Sequence, residues 1–258
     1  PSSFDEEMFK FVAEDLCNEA GVRLQLHTML ADVDVSGGRV ERIATLSKSG
    51  LGQVRGTVFV DGTGDGDLAA WAGAETEIGR EEDGHCQPMT LCFRMMNVNL
   101  EAMPSRAEIN ELYDAAKARG EIDNPRENVL KFFTPHDREV HFNTTRIVMH
   151  DATNAEELTD AELIGRRQVR EMVRFLRDHV RGFEDAWLAE MAPQIGIRES
   201  RRVMGDHVLS VDEVLEARKF EDGIARGSYS VDIHNPAGTG TVIKHLPPGE
   251  AYDIPYRC

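Results

Sequence analysis

Apolar residues open the chain at helical spacing. Met8, Phe11, Val12 and Leu16 share one stripe, Ser3 and Glu6 have capping-box spacing, and Gly21 stands where a helix would stop. The period then drops to two. "VRLQLHT" at 22–28 and "LADVDV" at 30–35 alternate, "SGG" at 36–38 predicts a hairpin turn, and "RVERIATL" returns, so an antiparallel meander is expected. "QVRGTVFVD" at 53–61 reads as a further, buried strand that ends at "GTGDGD", with Asp67 the expected N-cap of a short helix.

A polar stretch, "GREEDGHCQP", has the composition of a domain crossover. Beyond it "MTLCFRMMNV" at 89–98 alternates like a strand, residues 105–119 pattern as a helix, and Phe132, Phe133, "EVHFN" and "TRIVMH" predict a second small sheet. From 159 to 181, Leu163, Val169, Met172, Val173, Leu176 and Val180 mark an apolar helix face. Arg166, Arg170, Arg174, Arg177 and Arg181 mark the opposite one. Acids interleave with those arginines, which favours a solvated, salt-bridged face over a docking surface. Ser210 and Glu213 repeat the capping-box spacing.

Charge narrows the partners. The 258 residues carry a formal net charge of −17, which argues against attraction to nucleic acid or anionic membranes and favours a small-molecule partner. No apolar run approaches the roughly 18 residues of a membrane span, and no signal-peptide pattern opens the chain, so a cytoplasmic location is expected. Cys17, Cys86, Cys92 and Cys258 form no CxxC pair, and no metal ligands are assigned. The start on "PSSFDEE" and the stop on "IPYRC" read as the edges of an internal fragment.

The "DGTGDGD" stretch admits three readings. As a calcium loop begun at Asp61 it has Thr63 at position three and Ala72 at position twelve, so the strongest ligand is absent. As a dinucleotide fingerprint it has Gly62 and Gly64 but Asp67 at the third glycine, and two carboxylates at a helix start repel phosphate. As a bare tight turn the glycines only satisfy backbone geometry.

"VFVDGTGDGDLAAWAGA" followed by "GREEDGHCQPMTL" resembles the central region of FAD-dependent oxidoreductases of the glutathione-reductase-like superfamily, and more closely those grouped with the heterodisulfide reductase flavoprotein subunit. "GIRESRRVMGDHVLS", "GSYSVDIHNPAGTG" and "YDIPYRC" extend the likeness in matching order; Gly62 replaces the usual alanine. The resemblance implies an α/β fold, α+β overall: the central part of a Rossmann-like FAD/NAD(P)-binding domain with a β-meander, plus an inserted α+β cap. The implied bounds are 1–87 for the partial FAD-binding domain, 88–192 for the insertion and 193–258 for the return segment.

FAD is the implied cofactor, and hydride transfer with a small-molecule substrate the implied chemistry. Family members carry a GxGxxG unit upstream and a closing strand and helix downstream, neither of which lies in these residues. By the same resemblance, backbone near Leu30 and Ala31 meets the adenine edge, and Thr63, Gly64, Asp65 and Gly66 face the ribityl and phosphate region. Arg198, Arg201 and Arg202 supply positive charge, with Arg198 and Arg202 sharing a strand face and Arg201 assigned to the chemistry. His234 is the candidate acid/base. His207, His245, Tyr229 and Tyr256 are lesser candidates. An electron-transfer partner is compatible with this reading, and the oligomeric state is left open. Two alternatives stand beside it: a noncatalytic binding module of the same fold, and part of an iron–sulfur flavoprotein electron-transfer subunit.

Overall fold

The computed structural model describes residues 4–258, so Ser3 of the expected N-terminal capping box lies outside the described residues. In chain order the first elements are α1 (Glu6–Glu19), β1 (Thr28–Ser36), β2 (Arg39–Ser47), β3 (Gly50–Val54), α2 (Asp67–Trp71), β4 (Thr76–Ile78) and β5 (Phe93–Met96). Then come α3 (Arg106–Ala118), β6 (Lys131–Phe133), β7 (Val140–Phe142), α4 (Ala155–His179), β8 (Trp187–Met191) and β9 (Arg201–Val203). The last are α5 (Val211–Leu215), β10 (Gly223–Gly227), β11 (Val231–His234), β12 (Thr241–Lys244) and β13 (Tyr252–Pro255). The fold is mixed α/β, and every pairing between these strands is antiparallel.

Contacts divide the chain into two units, one centred on Gly79–Ser200 with Val231–Lys244, the other on Glu6–Ile78, Arg201–Ser230 and His245–Cys258. The first holds the apolar core. Its four-stranded sheet runs β6-β7-β5-β8, and the alternation of "FRMM" on β5 sends Phe93 and Met95 inward. Phe93 stacks on Phe142 of β7 with ring centroids 4.9 Å apart. Tyr113 of α3 meets Phe175 of α4 edge-on at 5.6 Å. Burying each such large apolar side chain stabilises the fold by about 1.5–3 kcal/mol.

Both long helices of this unit start where their caps dictate. Ser105 and Glu108 form the reciprocal capping box of α3. Asn154 accepts from the Glu156 and Glu157 N–H groups at the start of α4, four residues before the apolar pattern begins. The interior face of α4 carries Ala161, Gly165, Val169, Met172, Phe175 and Leu176. The arginine stripe is exposed as expected, with Arg166 on Glu162 at 3.6 Å. Leu163, expected inside, is exposed, because at about 3.6 residues per turn it falls on the face opposite the buried stripe of Ala161, Gly165, Val169 and Met172.

The second unit is built on the β1-β2-β3 meander. Gly37 and Gly38 take positive φ in the two-residue turn between Ser36 and Arg39, the conformation that glycine allows and a right-twisted hairpin needs. α1 closes on Gly21 with Val22 N–H on the Cys17 carbonyl and Gly21 N–H on the Asn18 carbonyl, a Schellman end. Two expected strands are not there. β1 begins only at Thr28, after His27 at φ 53, and β3 ends at Val54. Val58 and Val60 are 79% and 90% exposed. β-Propensity makes a buried strand only when a neighbouring ladder receives it, and no described strand pairs with residues 22–27 or 55–61.

Candidate functional site

Asp61 and Asp67 of "DGTGDGD" point back into the chain. Asp61 Oδ1 accepts from the Thr63 N–H at 3.0 Å and the Thr63 hydroxyl at 2.8 Å, and Asp61 Oδ2 accepts from the Ala69 N–H at 2.9 Å. Thr63 Oγ1 in turn accepts from the Asp67 N–H at 3.0 Å. Donors at the start of α2 are therefore satisfied from within the turn. Partial burial raises the Asp61 carboxyl, yet the bonds from Thr63 and Ala69 outweigh it and hold the group below its ordinary value.

Asp67, expected to cap α2, is instead its first residue. Gly66 occupies the cap position at φ 65, a conformation that favours glycine, and a Cβ there would lie 2.9 Å from Val203 Cγ2. The freed Asp67 carboxylate closes on the Arg201 guanidinium, an ion pair whose side chains are 30% and 14% exposed respectively. Arg201 begins β9, which pairs with β4 in the register Glu77↔Arg202 and Ile78↔Arg201. Arg202 reaches Glu77 at 3.7 Å.

β1 packs beside α2. Its register with β2 slips between Leu30 and Asp32, which leaves Ala31 as the extra residue of a bulge, off the ladder. Leu30, Ala31, the Thr63–Gly66 turn, Arg201 and Arg202 thus fall in one unit, on β1, at the start of α2 and on β9.

Arg198 and His234 belong to the other unit. The strand expected to align Arg198 with Arg202 starts only at Arg201, where its pairing with Ile78 of β4 begins; Arg198 is exposed. His234 is 7% exposed. Its N–H donates to Gln87 Oε1 at 2.9 Å, its Nδ1 lies 3.0 Å from Thr241 Oγ1, and its Nε2 lies 3.3 Å from Asp232 Oδ1. A hydroxyl beside Nδ1 and a carboxylate beside Nε2 suit a neutral imidazole. Burial lowers the His234 pKa and Arg198, Arg126 and Arg146 lower it further, against Asp232, which raises it.

The loop that follows His234 is tied down at Gly240 by Arg146, which is 1% exposed. Its Nη1 donates to both Glu127 oxygens at 2.7 Å and its Nη2 to the Gly240 carbonyl at 3.1 Å, while Glu127 also accepts the Gly240 N–H. Gln168 of α4 brackets the Arg146 backbone with bonds of 2.8 and 2.9 Å.

A family model described as FAD dependent oxidoreductase matches residues 2–258. The chain belongs to the FAD-dependent oxidoreductase family. FAD is accordingly its cofactor. No curated protein and no solved structure matches the chain.

The turn of this FAD-dependent oxidoreductase fits a cofactor that approaches backbone more than one gripped by its phosphates. A Cβ added to Gly62 or Gly64 would meet nothing within 4 Å, so the face beside both glycines is open. The α2 donors that a phosphate would need are the ones Asp61 and Thr63 already occupy.

Gln87, Arg126, Glu127, Arg146, Asp232 and Thr241 were not anticipated around His234. One signal was legible for Asp232, since i and i+2 on a strand share a face. For Arg146 the signal was an arginine inside the apolar run "RIVM", which calls for a buried carboxylate partner.

Proposed function

We propose that this chain supplies the cofactor-facing and substrate-facing groups of a flavin-dependent hydride-transfer enzyme acting on a small molecule. The observation that carries the reading is the family match across residues 2–258. In this reading the off-ladder backbone of Ala31, with Leu30, offers an N–H and a carbonyl to the adenine edge. Thr63, Gly64, Asp65 and Gly66 present backbone to the ribityl chain. Arg201, anchored on Asp67, and Arg202 keep positive charge beside that turn. FAD, when bound, supplies the hydride acceptor or donor.

His234 and Asp232 form the proton-handling pair of the reading, with Thr241 holding Nδ1 and Asp232 stabilising charge at Nε2. Arg198 adds positive charge near the imidazole. The bounds 1–87, 88–192 and 193–258, a Rossmann-like parallel core and a substrate cap belong to the same proposal. So does a cytoplasmic location.

The test is to express the chain in flavin-replete cells, desalt it, and record its visible absorbance. Retained flavin in substoichiometric or stoichiometric amount, lost in Gly64→Val, is the expected result. A folded chain that neither retains flavin nor binds added FAD overturns the reading and leaves the noncatalytic module.

A further inference from the structure

Arg126 is a buried arginine held in place without a carboxylate of its own. Its residue is 8% exposed and its Nε is buried with no hydrogen-bond partner. The one described carboxylate near its Nε, Glu127 Oε2, stands 4.0 Å away, and Glu127 is already committed to Arg146 and Gly240. Guanidinium does not give up its proton in a protein, so this charge persists.

The backbone that presents it is fixed from both sides. The Arg126 carbonyl accepts from the Tyr113 hydroxyl at 3.0 Å and from Lys117 Nζ at 2.9 Å. The Arg126 N–H donates to Asn124 Oδ1 at 3.0 Å, and Asn124 Nδ2 donates to the Thr144 carbonyl at 2.7 Å. Three side chains, Tyr113, Lys117 and Asn124, thus fix the peptide from which the guanidinium projects.

We propose that Arg126, with Arg198 and His234, forms a binding site for the carboxylate group of a small-molecule ligand. That this ligand is the substrate rests on the oxidoreductase reading above; the binding site itself does not. Glu127 is committed to Arg146, Asp232 lies at 3.3 Å from His234 Nε2, and Glu199 accepts the Gln87 N–H, so none of the three is hydrogen-bonded to Arg126. What Arg126 lacks is an acceptor at hydrogen-bond distance. A single carboxylate matches the planar guanidinium and offsets that one positive charge, whereas a phosphate dianion brings a second negative charge that Arg126 does not offset.

The two roles predict opposite effects of removing the charge. A structural ion pair loses stability when one partner goes, but an uncompensated buried charge relieves the apo protein when an apolar side chain of similar volume replaces it. Wild type, Arg126→Met and Arg126→Lys are therefore titrated calorimetrically with acetate, succinate, benzoate and, separately, inorganic phosphate, and their unliganded thermal midpoints are measured.

The expected result is saturable binding of at least one carboxylate to wild type, weakened roughly tenfold or more in Arg126→Met and less in Arg126→Lys. The Arg126→Met midpoint stays equal to or above that of wild type. No saturable carboxylate binding, phosphate binding as tight as that of every carboxylate, affinity unchanged in Arg126→Met, or a lowered midpoint in that variant each overturns the proposal. Flavin retention is read from absorbance on the same samples. A chain that binds carboxylate without flavin keeps this site and loses the oxidoreductase reading, and one that retains flavin without binding carboxylate does the reverse.

Discussion

The Asp61 carboxylate reaches across eight residues to accept the Ala69 N–H at 2.9 Å, inside the first turn of α2. That bond makes the acid a remote helix cap. Asp61→Ala removes the acceptor for Ala69 and for both Thr63 donors, so a loss of about 1–2 kcal/mol is expected by urea denaturation. Asp61→Asn keeps one oxygen and should lose less than the alanine variant. Acid should reproduce part of the effect. The folded pKa of Asp61 is depressed, so its contribution is complete above the unfolded value of 3.8 and fades as pH falls through the folded one.

How far the sequence disclosed this architecture depended on whether the signal was local. The Ser210–Glu213 cap, the Gly37–Gly38 turn and the Gly21 helix end are set by neighbours in the chain, and each stands where the residues indicated. "VRLQL" and "TVFV" failed as strands because pairing is a property of the partner ladder, which no local pattern reveals. The same limit hid the site in Gly79–Ser200. Arg146 meets Glu127 and Gly240 across 19 and 94 residues, contacts that only the folded chain supplies.

Two glycines of the turn should respond in opposite ways. Gly66 sits at φ 65 with Val203 Cγ2 2.9 Å from a would-be Cβ, so Gly66→Ala should cost about 1–2 kcal/mol. Gly62 has neither constraint, and Gly62→Ala should be neutral or stabilise by roughly 0.5 kcal/mol through the unfolded chain. Thermal midpoints of the two variants check the contrast. A larger loss for Gly62→Ala would show that the turn is not held as described.

The Arg201–Asp67 pair should couple in a double-mutant cycle. Both side chains are partly buried, and the pair fastens β9 to the start of α2. Arg201→Gln, Asp67→Asn and the double variant are expected to give a coupling energy of roughly 1 kcal/mol, since remaining solvent access screens the pair. Additive losses would mean that each residue acts alone.

His234 should make stability of its unit fall on mild acidification. Its folded pKa lies below the exposed value of 6.5, chiefly because the ring is buried and Arg198 stands near. The unfolded chain therefore takes the proton first. Stability contributed by the neutral ring is complete above about pH 6.5 and is lost as pH falls through that value toward the folded pKa. His234→Gln should flatten the stability profile between about pH 5 and 7. Backbone hydrogen exchange at β11 and β12 reports the unit directly, and a profile as steep as wild type would rule out His234 as its source.

Arg146 and Arg126 are both buried arginines, and they should behave as opposites. Arg146 holds Glu127 and the Gly240 carbonyl, with Gln168 clamping its backbone, so Arg146→Met strips three acceptor oxygens of their donor. Removing one partner of a buried pair costs about 3–5 kcal/mol, and the 31% exposure of the Glu127 side chain lets water recover part of it, which leaves an expected loss of roughly 2–3 kcal/mol. The damage should concentrate in residues 235–240, whose Gly240 end Arg146 and Glu127 anchor, and appear as faster amide exchange there before global unfolding. Equal midpoints for Arg146→Met and Arg126→Met would contradict the distinction: the Nε of each is buried without a partner, but the Arg146 Nη groups hold three acceptor oxygens while Glu127 stands 4.0 Å from Arg126.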